Sequence, residues 1–167
     1  MPEQNWIAEA KKHVGVQEVA NKALIQGWAK KMGPKWYADQ VDPSMSDGFG
    51  PWCGLFTAWC VHSAGAKLPE NYFRASSWAT WGQELKKPAA GCVVTFTRNG
   101  GGHVGFVLGV DKTGALLVIG GNQGNKVCVE KFPLAKATAF RWPAGVALPT
   151  EPAPVLAINA ALSVNQA

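Results

Sequence analysis

A cysteine and a histidine in this chain have the types and surroundings needed for covalent hydrolysis. Cys53 follows a loop rich in Asp, Ser, Gly and Pro that runs from about Asp39 to Pro51. It opens the run Pro51-Trp52-Cys53-Gly54-Leu55-Phe56-Thr57-Ala58-Trp59-Cys60-Val61-His62-Ser63-Ala64-Gly65. Proline suits a helix start and glycine the position just past a helix end. The run therefore reads as a helix beginning at or just before Cys53. Backbone N–H groups and the helix dipole at such a start favour a thiolate over a thiol, and a thiolate attacks a carbonyl carbon. His103 follows three glycines and opens an apolar run. A histidine at a strand start faces an edge or cleft, where it can take the thiol proton and return it to a leaving amine.

Such a pair needs a third group to orient the imidazole. Gly120-Gly121-Asn122-Gln123 ends the strand that follows the one opened by His103. A short turn joins these two strands, so they should pair and bring Asn122 near His103. Asn122 is the expected orienting residue, with Gln123 and Asn125 as alternatives. The purely structural reading of Asn122 is a turn asparagine in left-handed backbone. Trp52, Asp47 and Gln123 are the expected substrate contacts.

The remaining candidates carry less chemistry. Cys60 lies two turns after Cys53 and should be packed within the helix, and Cys92 and Cys128 are likewise expected to be packed thiols. The cysteines form no C-x-x-C pair and no zinc-finger spacing with histidine. No metal site, paired carboxylates or phosphate-binding glycine loop is expected. His13 and His62 fall late in expected helices, where a cation suits the dipole.

The elements that must position these residues change character halfway along the chain. Trp6, Ile7, Ala10 and Val14 share one helical face, with Gly15 as a stop. Leu24, Ile25, Trp28 and Met32 make a second stripe closed by Gly33-Pro34. A shorter helical piece is expected near Ser77–Leu85. Beyond it the period becomes that of strands: Gly91–Thr97, His103–Val110, Ala115–Ile119, Val127–Phe132 and Thr138–Trp142, with turn signals between them. Helices first and an antiparallel meander after make an α+β domain. Residues 1–143 are expected to form it. Residues 144–167 read as an Ala/Pro-rich linker or docked tail, in which Val155–Val164 is a candidate short helix.

The bulk numbers bound the function. The 167 residues suit one domain, and 47% hydrophobic residues allow a core without disulfides. Most of the eight tryptophans should be core or groove walls. The net charge of +5 favours an anionic partner, but the basic residues are scattered, so nucleic acid is not expected. The first residues, Met1 to Gly15, lack the features of a signal peptide. No apolar stretch is long enough to span a bilayer. The expectation is a chain made in the cytoplasm, not integral to a membrane.

Three runs together resemble a known family. Pro51-Trp52-Cys53-Gly54-Leu55-Phe56, Gly102-His103-Val104-Gly105-Phe106-Val107 and Gly120-Gly121-Asn122-Gln123-Gly124-Asn125 are similar to the CHAP branch of the NlpC/P60 superfamily of papain-like cysteine peptidases and amidases. The resemblance spans roughly residues 4 to 143 and is nearest to cell-wall hydrolases of phages and proteobacteria. It implies a papain-like α+β fold, with helices packed on a sheet of about five strands. It implies peptidoglycan as substrate, Cys53 and His103 as the catalytic pair, Asn122 as orienting residue, and no cofactor. Two positions depart from the pattern. Many CHAP domains carry Gln just before the cysteine, contributing to the oxyanion hole, where this chain has Trp52. Many carry Glu two residues before the Asn, where this chain has Gly120.

The bond expected to be cut is an amide of the stem peptide or the muramoyl–alanine link. Without a signal peptide, the protein would reach the periplasm or cell wall as a phage lysin or as an injected toxin, the latter with an immunity protein. It is expected to act as a monomer. The alternatives are an amidase on a non-wall conjugate, such as a glutathionyl spermidine-like amide, and a non-catalytic wall-binding module.

Overall fold

The computed structural model describes residues 3–98 and 101–158. Four α-helices come first: α1 (Asn5–Lys12), α2 (Lys22–Met32), α3 (Lys35–Ala38) and α4 (Cys53–Ser63). The strands follow: β1 (Gln83–Leu85), β2 (Val93–Arg98), β3 (Gly101–Val110), β4 (Leu116–Gln123), β5 (Lys126–Phe132) and β6 (Ala137–Trp142). They form one antiparallel sheet in the order β1-β6-β2-β3-β4-β5. The α+β reading holds, with helices before sheet.

The central helix is α4. Leu55, Phe56, Thr57, Ala58, Cys60 and Val61 are all buried, so the helix is apolar almost all round. A helix of that kind belongs inside a domain. It packs against α1 and α2 on one side and against β3 and β4 on the other. Just past its end Gly65 adopts φ 83°, a conformation that costs a side-chain-bearing residue energy. Gly54 serves a different need. A Cβ there would run into the backbone carbonyls of Tyr72 and Phe73, so glycine after Cys53 lets that segment lie against the helix start. The stripes of α1 and α2 face the core through Trp6, Ile7, Ala10, Ile25 and Trp28, whereas Val14 and Leu24 stay exposed. Trp6 also donates its indole N–H to Gly91 O at 2.7 Å, tying α1 to the approach to β2.

The structure corrects the sequence expectation in one place. The piece near Ser77–Leu85 is not helical throughout. A 3-10 turn covers Ala75–Trp78, and Gln83–Leu85 is a strand paired with β6. This three-residue edge strand is too short for its period to be read, and it makes the sheet six-stranded. The chain beyond residue 143 crosses back over the domain: Val110 N–H donates to Pro154 O and Leu156 N–H to Val110 O, each at 2.8 Å. Most of the expected Val155–Val164 helix, and Asn99 and Gly100 of the expected β2–β3 turn, lie outside the described residues.

Candidate active site

Cys53 is the first residue of α4. Phe56 N–H makes the helix's opening bond, to Trp52 O at 3.0 Å. The N–H groups of Cys53, Gly54 and Leu55 therefore precede the intrahelical ladder, where backbone donors and the dipole stabilise negative charge. The thiol is 6% exposed and lines a cavity of about 780 Å³. One wall is aromatic, from Tyr37, Phe49 and Phe73. The sheet contributes Thr95, Phe96, Thr97 and Thr138 to the lining, which also includes Arg74 and Ser76.

Burial pushes the Cys60 thiol well up and that of Cys92 up to about 12. The Cys128 thiol is raised as well, chiefly by burial and then by Glu130.

His103 is held by the sheet. It is 2% exposed, not open to a cleft as its place at a strand start suggests, and its ring stacks on Phe132 at 5.4 Å and on Phe96 at 6.2 Å. Phe96 lines the cavity; His103 itself is not among the lining side chains. The imidazole thus adjoins the cavity through Phe96.

Its Nε2 lies 2.9 Å from Gln123 Oε1. The Gln123 amide nitrogen donates to Val118 O at 3.1 Å and Cys128 O at 2.7 Å. Carbonyls only accept, so the carboxamide orientation is determined and its oxygen must face the ring. Nε2 therefore carries the proton, and Nδ1 of the neutral imidazole is the basic nitrogen.

The side chain hydrogen-bonded to the imidazole is that of Gln123 and not that of the expected Asn122, for a reason of register. Phe106 pairs with Ile119. Continued without a break, that pairing would set Asn122 opposite His103. Instead β4 carries one extra residue, because Gly120 pairs with Cys128 and Gln123 with Lys126. Asn122 sits in this bulge at φ 57°. A bulge re-aims the side chain that follows it, and here it brings Gln123 onto the face of His103.

The two neighbouring glycines make room for different groups. A Cβ on Gly121 would strike Phe56 and Trp52, while one on Gly120 would strike the Gln123 carboxamide and lie 3.5 Å from His103 Nε2. The Gln123 side chain thus fills the room left at Gly120.

The substrate contacts expected from sequence fare differently. Gln123 is 1% exposed and fully occupied with His103 and backbone. Trp52 is fully buried, and its indole N–H is directed at Glu18 Oε1 at 3.3 Å. Neither is placed to touch substrate. Trp52 packs inward against Gly121, and Gln123 folds over Gly120 to reach His103. Asp47 is exposed in the loop before the helix, next to Gly48 and Phe49 of the cavity.

Sequence reasoning missed Tyr37, Phe73 and Arg74, which lie far from the cysteine run. It also missed Trp36, 49% exposed, which packs edge-on against Phe49 and Phe73 at 5.8 and 5.6 Å. The aromatic cluster Trp36-Tyr37 ahead of the loop was the available signal. Among the described residues, no group of His, Cys, Asp and Glu could hold a metal ion, and no helix is long and apolar enough to cross a membrane.

No curated protein and no solved structure matches the chain. A family model does. CHAP domains are in general hydrolases of the amidase or peptidase type that act on peptidoglycan. The helix start with Cys53, the strand with His103 and the bulge at Asn122 all fall within residues 45–122, and that segment matches the CHAP domain family.

Proposed function

We propose that this chain cleaves an amide bond of peptidoglycan, in the stem peptide or at the muramoyl–alanine link, with Cys53 as nucleophile and His103 as base. The observation that carries this reading is Cys53 at the first position of α4, lining a cavity of aromatic and polar side chains. Nδ1 of His103 takes the thiol proton, and Sγ attacks the carbonyl carbon. The tetrahedral intermediate collapses to a thioester as the same proton passes to the leaving amine. Water then gives a proton to Nδ1 and attacks the thioester, and the acid leaves as Sγ is released. Gln123 keeps the proton on Nε2 throughout and supports the imidazolium as it forms. It positions the base without touching substrate.

The net charge of +5 suits an anionic wall, and Arg74 on the cavity wall suits a carboxylate of the stem peptide. The protein acts in the periplasm or cell wall as a monomer. It serves as a phage lysin or as an injected antibacterial toxin, the latter with a cognate immunity protein. Mass analysis of purified peptidoglycan after digestion tests the reading. New fragments with a free amine at one defined bond are expected from the wild type and none from Cys53→Ala. Sacculi left intact by the wild type would sink it.

A further inference from the structure

Attack on a carbonyl converts its oxygen to an oxyanion, and a donor already aimed at that oxygen lowers the barrier. The start of α4 offers the Cys53 N–H. A further donor has to come from the cavity wall. Thr138 Oγ1 donates to Thr95 O at 3.1 Å, and the two threonine hydroxyls bond each other at 2.8 Å. Both of their protons are therefore used. The Trp52 indole N–H is directed at Glu18.

Tyr37 is different. It lines the cavity with Cys53 and is fully buried, stacked on Phe73 at 4.3 Å and edge-on to Phe49 and Tyr72 at 5.7 Å each. Its hydroxyl is the one buried side-chain oxygen or nitrogen among the described residues with no hydrogen-bond partner. A phenylalanine would make the same ring contacts without the cost of an unsatisfied hydroxyl. A polar group retained at that cost, beside the nucleophile, calls for a ligand atom. We propose that the Tyr37 hydroxyl donates a hydrogen bond to the carbonyl oxygen attacked by Cys53, as second donor to the oxyanion. The phenol is suited to donate and not to ionise: burial, then the charges of Tyr72 and Cys53, push its pKa well up.

This inference rests on the Cys53 chemistry proposed above. Tyr37→Phe removes the oxygen and keeps the ring. On peptidoglycan fragments kcat should fall by about 10²-fold or more, the size of a lost oxyanion donor, with KM nearly unchanged. Thermal stability should hold or rise, whereas a merely structural hydroxyl would lower it when removed. A second probe needs no hydrolysis. N-acetyl-alaninal adds to a thiolate: a C–S bond forms, and the carbonyl oxygen takes the thiol proton through an alkoxide. Its affinity, read as protection of Cys53 from iodoacetamide, should be at least about tenfold weaker in Tyr37→Phe. Equal protection of both proteins, or of neither, overturns the proposal, and so does an unchanged kcat. A wild type that spares peptidoglycan yet shows the aldehyde difference would end the wall reading and leave Tyr37 in its role.

Discussion

The two halves of the candidate dyad are positioned by opposite means. Cys53 stands where a helix begins, and everything that sets it there is contiguous: the loop, Pro51, and the apolar run that makes α4 a central helix. His103 stands inside a sheet, and what orients it comes from Gln123, twenty residues on, across a register with one residue inserted. A helix end presents a reactive atom through backbone alone. A sheet presents one through side chains whose face depends on parity, so a single insertion changes which residue does the work.

Removing each partner sharpens this contrast most. Cys53→Ala and His103→Ala should both reduce hydrolysis to background, but their stabilities should separate. Cys53→Ala trims one atom at the edge of a cavity and should cost about 1 kcal/mol or less. His103→Ala leaves a hole between Phe96 and Phe132 and strands the Gln123 oxygen, and should cost about 3 kcal/mol. Urea denaturation of the two variants measures the gap. Equal stability would mean that the imidazole is not the packed keystone of the sheet's face.

What was legible in the sequence follows the same division. Helices α1, α2 and α4, and the strands from β2 onward, carry periodicity that a short window captures. So does the Cys53 helix start, because all its determinants are local. Three things were not legible. The edge strand Gln83–Leu85 is too short to show a period. The aromatic wall of Tyr37 and Phe73 is assembled across the chain, by way of the close approach that Gly54 permits. The exchange of Asn122 for Gln123 hangs on a bulge whose one local sign is Gly-Gly-Asn, a sequence equally suited to a plain turn. Polar and aromatic residues near a candidate nucleophile, as Trp52 and Gln123 are, suggest substrate contacts from sequence alone, and their burial is a tertiary property.

The bulge itself can be tested next. Gln123→Leu should lower kcat on the order of 10²-fold, the scale of lost general base function, with little change in KM, because the group serves the ring and not the substrate. It should also shift the acid limb of the pH–rate profile, since nothing then holds the proton on Nε2. Asn122→Gly should leave kcat within about twofold, because glycine adopts φ 57° freely. Asn122→Val should lose about 1–2 kcal/mol of stability from left-handed strain. If Asn122→Gly lost as much kcat as Gln123→Leu, the amide of Asn122 and not that of Gln123 would be the orienting group.

The smallest effect compares the two regions through their inert thiols. Cys60 lies in α4 and Cys92 just ahead of β2, both fully buried and both titrating above the ordinary value of 9.0 because burial disfavours the thiolate. In the unfolded chain these thiols lose protons near pH 9, while in the folded protein they keep them, Cys92 until about pH 12. Between these values the unfolded state binds fewer protons, so stability must fall as pH rises. The stabilisation is fully present below pH 9 and is lost through the folded-state values. Each fully titrating group adds at most about 1.4 kcal/mol per pH unit to the slope. Cys60→Ala and Cys92→Ala should each cost about 1 kcal/mol at pH 7 yet flatten the decline above pH 9, and the double variant should flatten it further. The decisive window is pH 9 to 10, because the buried Tyr37 and Tyr72 add the same sign of effect once free phenols begin to ionise near 10.0. Thermal melts of the four proteins across that window read the slopes. Parallel declines in wild type and double variant would show that neither thiol is held protonated by its surroundings. A decline flattened by Cys60→Ala alone would place the alkaline weakness in the helix that carries the candidate nucleophile, not at the sheet.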